Sequence, residues 1–248
     1  MIKRRPTEFN TFSIAARCQR TGMYGVAVST AALAVGGFVP FARCGVGAIA
    51  TQCCTNPYFG VRGLKMLAEG LSASEVLANL VQDDKGRDFR QVSVVDARGQ
   101  AVSFTGAKAT PWAGHCVGDG YAVAGNTLVG GETIRSMARA FEESAEESLP
   151  ERLVRALEAG QAAGGDKRGK QSAALYVVHT EDYGWVDLRV DDHADPVAEL
   201  RRLWNLHRET LLPFMEMFPT KADPVGVLED EEWERIEREI AEKKKCCP

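Results

Sequence analysis

The chain has 248 residues, of which 34 are Asp or Glu and 30 are Lys or Arg, for a formal charge of −4; 45% are hydrophobic and 26% charged. That is ordinary globular composition, with length for one large domain or two small ones. A mildly acidic chain with no basic stripe excludes nucleic acid as the main partner, and no apolar run is long enough to span a bilayer or to serve as a secretory leader, so no membrane partner and a cytoplasmic location are expected.

The first element in chain order is a strand at 11–16. Phe12, Ile14 and Ala16 share one face, and Thr11, Ser13 and Ala15 the other. A polar stretch containing Lys3-Arg4-Arg5 and Pro6 precedes it, so residues 1–10 are taken as an N-terminal extension. Residues 24–29 alternate as well, and Arg20-Thr21-Gly22 makes a hairpin turn between the two strands. Residues 45–52 form a third strand, whose small side chains admit close approach by another layer.

Two helices follow. Asn56 caps the first, with Pro57 at its first position and Gly70 past its end; Val61, Leu64, Leu67 and Ala68 are placed on its inner face. Ser72 and Glu75 form a capping box for the second, which buries Val76, Leu77, Leu80 and Val81. Strands at 91–95 and 101–105 are joined by the turn Asp96-Ala97-Arg98-Gly99, and another strand is expected at 120–124.

A third helix is expected at 132–146, burying Ile134, Met137, Ala138, Phe141 and Ala145. Ser148 and Glu151 read as a second capping box, opening a fourth helix that stops near Gly164-Gly165. Strands at 173–179 and 184–190 make a hairpin. Asp195-Pro196 starts a fifth helix, and 229–245 form a charged helix anchored by Trp233, Ile236 and Ile240.

Antiparallel hairpins alternating with pairs of helices suit an α+β protein, not a doubly wound parallel sheet. The expectation is a four-layer αββα sandwich of two antiparallel sheets over residues 11–224, with a charged helical tail at 225–248.

TFSIAAR at 11–17, YGVAVST at 24–30, GVGAIATQ at 45–52, GNTLVGG at 125–131, AGGDKRGKQSAAL at 163–175 and DLRVDDHADP at 187–196 together resemble one family. It is the domain-of-unknown-function family 1028, grouped with the N-terminal nucleophile (Ntn) hydrolases, and the resemblance covers roughly 11–205. It implies the same αββα sandwich. Members begin at, or one Met before, the position matching Thr11, and this sequence departs from that by its first ten residues.

An Ntn hydrolase uses a Thr, Ser or Cys whose own α-amino group, with a pKa of about 7.7–8.0, serves as base. Thr11 is the candidate nucleophile, provided that the Asn10–Thr11 bond is cut, by attack of Thr11 on the preceding carbonyl or by a trimming protease. The alternative is a hydroxyl that merely opens a strand. Asn126, after a glycine at a strand end, is a candidate oxyanion donor or a turn residue. Ser29 and Thr30 end the second strand, where they either orient an amine at Thr11 or face solvent.

The segment 164–172 is the richest in polar groups. Arg168 suits a substrate carboxylate, and Asp166 and Ser172 resemble, by position, the groups that support the terminal amine in related folds; the alternative is an exposed loop. It lacks P-loop spacing. Gln52 and Asn56 are placed to meet polar substrate groups, and Pro111-Trp112-Ala113-Gly114-His115 is a loop in which His115 lines a pocket or sits at the surface over a buried Trp112. Asp191, Asp192, His193 and Asp195 invite a metal, but Asp195 is better explained as a helix cap.

No cofactor is implied. Cys18, Cys44, Cys53, Cys54, Cys116, Cys246 and Cys247 form no zinc or disulfide pattern and are taken as buried or incidental thiols. The expectation is hydrolysis of a linear amide in a small metabolite or peptide by a homo-oligomer, most simply a homodimer. The alternative is a non-catalytic binding or assembly protein of the same fold.

Overall fold

The computed structural model describes residues 8–246. In chain order it runs β1 (Glu8–Phe9), β2 (Thr11–Arg17), β3 (Tyr24–Thr30), β4 (Pro40–Arg43), β5 (Gly47–Cys54), α1 (Pro57–Ala68), α2 (Ala73–Gln82), β6 (Arg90–Asp96) and β7 (Ala101–Thr105). It continues with β8 (Gly114–Gly118), β9 (Tyr121–Gly125), α3 (Glu132–Glu143), α4 (Leu149–Ala162), β10 (Ser172–Val178), β11 (Val186–Val190), α5 (Pro196–Thr210) and α6 (Asp230–Cys246). The protein is α+β.

Every strand pairing is antiparallel. One sheet runs β1-β5-β6-β7, with β4 also paired to β5; the other runs β11-β10-β3-β2-β9-β8. Ala15, Val26, Val28 and Ala174 of the second sheet form one buried cluster with Ala48, Ala50 and Val95 of the first. The many alanines let the sheets approach closely while still excluding water. On the first sheet, Ile49, Val92 and Val94 pack with Phe59 and Leu67 of α1 and Val76 and Leu80 of α2. Helices α3 and α4 pack on the second sheet.

Local signals act as expected at several ends. Asn56 caps α1 through its side chain, and the Ser72–Glu75 capping box of α2 is complete. Other expectations need correction. Ser148 makes no side-chain cap; Glu151 instead pairs with Arg155. Helix α1 buries Phe59, Gly60, Gly63 and Leu67, whereas Val61 is exposed, because the glycine face is the one narrow enough to lie against Phe41 and Ile49. Helix α3 stops at Glu143, which leaves Ala145 outside it and exposed. Strands β1, β4 and β8 were not anticipated.

The chain forms two compact units, one ending at Leu200 and one spanning 201–248, so the division falls within α5. In the second unit Phe214 stacks on Trp233 at 5.2 Å, and Ile236 is buried. These are the anchors that hold α6 against the 3-10 turn at Leu212–Met217. Cys247 lies outside the described residues, as do residues 1–7 of the expected extension. No helix among the described residues is long and apolar enough to cross a membrane.

Candidate functional site

The site is built where the chain passes from one sheet to the other. Phe9 ends β1, paired to Cys53 at the edge of β5, and Thr11 begins β2 in the second sheet, paired to Thr30. Asn10 is the one residue between them. Thr30 is paired in turn to Ser172, so Thr11, Thr30 and Ser172 form a row across three strands. The alternation of β2 sends Ser13 and Ala15 toward the first sheet, with Ser13 Oγ donating to Gln52 Oε1 at 2.6 Å.

The Asn10 carbonyl oxygen accepts two side-chain hydrogen bonds, from Thr30 Oγ1 at 2.6 Å and from Arg168 Nη2 at 2.8 Å. Thr11, next along the chain, is fully buried, and its Oγ1 has no hydrogen-bond partner. Its backbone carbonyl is taken by the Asn126 N–H at 3.0 Å. A buried, unpartnered hydroxyl is costly, and here it lies beside a carbonyl that accepts from a cation and a hydroxyl.

Arg168 is held by Asp166. Its Nη2 donates to Asp166 Oδ2 at 2.6 Å and its Nε to Oδ1 at 3.1 Å. Asp166 also accepts the backbone N–H of Arg168 at 2.9 Å and that of Ala31 at 3.3 Å. The carboxylate is thus fully buried but well supplied with donors, which offsets its desolvation. The loop itself is fastened to the segment after β9, where Lys167 N–H donates to Thr127 O and Val129 N–H to Gly165 O, and to the segment before β8, where Lys167 Nζ donates to Pro111 O. Gly164 and Gly165 have φ of 111° and 58°, which turn the chain back over Thr127.

Behind Thr11 lies a buried amide network. Gln91 Oε1 accepts from Gln52 Nε2 at 2.7 Å and from Asn126 Nδ2 at 2.9 Å. Gln91 Nε2 faces the carbonyls of Gly125 and Gly114, at 2.9 and 3.0 Å, and Thr105 Oγ1, at 2.8 Å. Thr105 Oγ1 lies 2.9 Å from His115 Nδ1 at the surface. Partial desolvation shifts this exposed imidazole below its ordinary value.

Several anticipated residues therefore meet, and some do so in other roles. Thr11, Asp166, Arg168, Asn126 and Thr30 converge. Arg168 is turned inward, so its donors go to Asp166 and Asn10 rather than to a substrate carboxylate. The Asn126 NH₂ goes to Gln91, which leaves Asn126 Oδ1 buried without a partner, in place of a free oxyanion donor.

Ser172 Oγ donates to Ala32 O at 2.6 Å and accepts from Val35 N–H at 3.1 Å, and so holds the turn after β3. Ser29 Oγ donates to Ser172 O and, one residue out of register, does not share the Thr11 row. Gln52 lies in the amide network, and Asn56 is occupied as a cap. His115 belongs to the edge strand β8 and is exposed, as the surface alternative has it, whereas Trp112 is 39% exposed and is not the buried ring of that alternative.

At 191–195, Asp192 accepts from Gln171 Nε2, and Asp195 pairs with Lys170 and takes its own N–H to His193 Nδ1. No set of three such side chains converges as a metal site among the described residues. Gln91 was the functional neighbour missed; the signal was a polar residue at an inward position of a strand otherwise rich in valine.

A family model described as a family of unknown function, DUF1028, matches residues 11–200. The crystal structure of protein SPO2555 from Silicibacter pomeroyi is similar at 29% identity, with 89% of this chain and 96% of that one covered and a TM-score of 0.82. Anbu (ancestral beta-subunit) from Yersinia bercovieri is similar at 10% identity over 80% of this chain and 94% of that one, with a TM-score of 0.38, a likeness too slight to bear on function. No curated protein matches. On the family model and the match to SPO2555, this chain belongs to the DUF1028 family.

Proposed function

We propose that the protein is an Ntn-type hydrolase of linear amides, arranged as a four-layer αββα sandwich with Thr11 as nucleophile. The observation that carries the reading is the Asn10 carbonyl, held by Thr30 and Arg168, beside the buried and unpartnered Thr11 Oγ1. Two donors on one carbonyl oxygen are what a developing oxyanion needs.

In the unmasking step Thr11 Oγ1 attacks the Asn10 carbonyl carbon. The C–N bond to Thr11 breaks, the hydroxyl proton passes to the departing nitrogen, and an ester joins Asn10 to Thr11 Oγ1. Water hydrolyses the ester to leave the Asn10 carboxylate, the Thr11 hydroxyl and a free α-amine. That amine then takes the Thr11 hydroxyl proton as the hydroxyl attacks a substrate amide. The substrate amine leaves with that proton, and water again releases the acid. Thr30 and Arg168 stabilise the oxyanion in both rounds, Asp166 aims Arg168, and Asn126 and Ser172 position the strand ends around Thr11.

The substrate is a small amide or a peptide, and no cofactor takes part. The free thiols of Cys18, Cys44 and Cys116 suit a reducing cytoplasm, where we place the protein as a homodimer. The test is intact mass and N-terminal sequence after prolonged incubation of the full chain. A Thr11 start in the native protein, absent from Thr11→Ala, supports the reading; an uncut native chain overturns it.

One observation favours a second reading, a non-catalytic binding or assembly protein. Glu8 and Phe9 pair with β5, and Asn10 is only 4% exposed with its carbonyl held by Thr30 and Arg168, as suits a permanent cap. Under that reading the native chain and Thr11→Ala both stay uncut, and partner binding is the same in the two.

A further inference from the structure

The segment before Thr11 is docked in a specific way. Phe9 pairs antiparallel with Cys53 as an added edge strand on β5. Its ring stacks on Phe38, with centroids 5.1 Å apart and planes 27° apart. Phe38 remains 44% exposed even so, an aromatic platform at the rim. Asn10 is buried, and no protein group partners its side-chain Oδ1. Cys53, at the pairing point, has φ of 69°, an uncommon backbone state for a residue with a side chain and one that recurs where ligands are clamped.

We propose that residues 8–10 occupy the acyl-side subsite of the protein, so that its ligands are linear peptides with an aromatic residue immediately before a small, buried residue that carries the cut carbonyl. The proposal rests on the reading of Thr11 as nucleophile. A substrate carbonyl that uses the two donors now on the Asn10 carbonyl, Thr30 and Arg168, sits where that carbonyl sits. A peptide that places its carbonyl there follows the path of Phe9 and Asn10. It adds a strand to the edge of β5 through main-chain hydrogen bonds, lays its aromatic ring on Phe38 and buries the next side chain. Strand pairing supplies affinity that tolerates sequence, while Phe38 and the buried position select it.

The test uses the full chain and fluorescently labelled acetyl-Glu-Phe-Asn-amide, with binding read by anisotropy. In the native chain the segment fills its own subsite. Phe9→Asp weakens that docking, and the peptide is expected to bind this variant at least tenfold more tightly than the native chain. Replacing Phe by Ala in the peptide, or adding Phe38→Ala to the variant, is expected to cost tenfold or more. If Phe9→Asp does not fold, Phe9→Ala serves the same comparison.

Equal binding to all chains, or no binding to a folded Phe9 variant, overturns the proposal. The hydrolase reading is judged separately, by turnover of the corresponding anilide on protein that starts at Thr11. Binding without turnover refutes catalysis and keeps the subsite, whereas turnover indifferent to the aromatic residue refutes the subsite and keeps catalysis.

Discussion

Arg168 reaches the carbonyl oxygen of Asn10 at 2.8 Å across 158 residues of sequence. The same guanidinium is clamped on the buried carboxylate of Asp166, so its direction is fixed in the resting chain. A donor held in this way costs no reorganisation when an oxyanion forms, which is where most of its value lies.

Under the proposed hydrolase reading, Arg168→Gln is expected to slow the release of Thr11 by about 10²–10³-fold, the usual loss for one oxyanion donor. Asp166→Asn leaves Arg168 in place but loosens its aim, and a smaller loss is expected. Time courses of intact mass for the variants at one temperature check both. An unchanged rate in Arg168→Gln removes the guanidinium from the chemistry.

Gln91 serves the interior. Gln91→Leu leaves the amide N–H groups of Gln52 and Asn126, and the carbonyls of Gly114 and Gly125, without the partner they share. At about 1–3 kcal/mol for each buried group left unsatisfied, a loss of at least ~3 kcal/mol in folding stability is expected. Urea unfolding of the native and variant chains measures it. A loss below 1 kcal/mol would mean that the network repairs itself.

Gly60 lies within α1, where alanine normally gains about 0.5–1 kcal/mol over glycine. Here a Cβ would sit 2.1 Å from Cγ of the Phe41 ring. Gly60→Ala is therefore expected to destabilise the protein, by about 1–3 kcal/mol of overpacking less the helical gain. A raised melting temperature would show that Phe41 moves aside freely.

His115 gives a pH dependence. His115 is exposed, and only partial desolvation of its ring lowers the folded value below the ordinary one of about 6.5, so the effect on stability is small. As the pH falls below that unfolded value, the unfolded chain binds a proton that the folded chain refuses. The stability from the neutral ring is whole above about pH 6.5 and is lost as the pH drops through the folded value. The difference in stability between the native chain and His115→Asn, measured from pH 8 down to about pH 5, is expected to shrink in that direction. An NMR titration of His115 with a midpoint above 6.5 would contradict it.

The sequence by itself determined the local elements. Alternation at 11–16 and 24–29, the turn at Asp96–Gly99, and the caps at Asn56 and Ser72 depend on contacts a few residues apart, so they are legible without the fold. The short edge strands β1, β4 and β8 were not, because runs of two to five residues carry too little period to stand out from a loop. Nor was the face of α1, since Phe59 and Val61 are equally apolar and only Phe41 and Ile49 choose between them.

The candidate site belongs almost wholly to tertiary structure. Thr11, Asp166 and Arg168 stood out as residue types, but the register of β2, β3 and β10 alone puts Thr30 rather than Ser29 in the row of Thr11, and a slip of one residue would reverse it. The turn of Arg168 away from solvent and onto Asn10 follows from the same register and from the fastening of its loop to the segments after β9 and before β8. Hydrogen bonds of such long range carry no periodic trace in the chain, because they are fixed by which strands lie side by side.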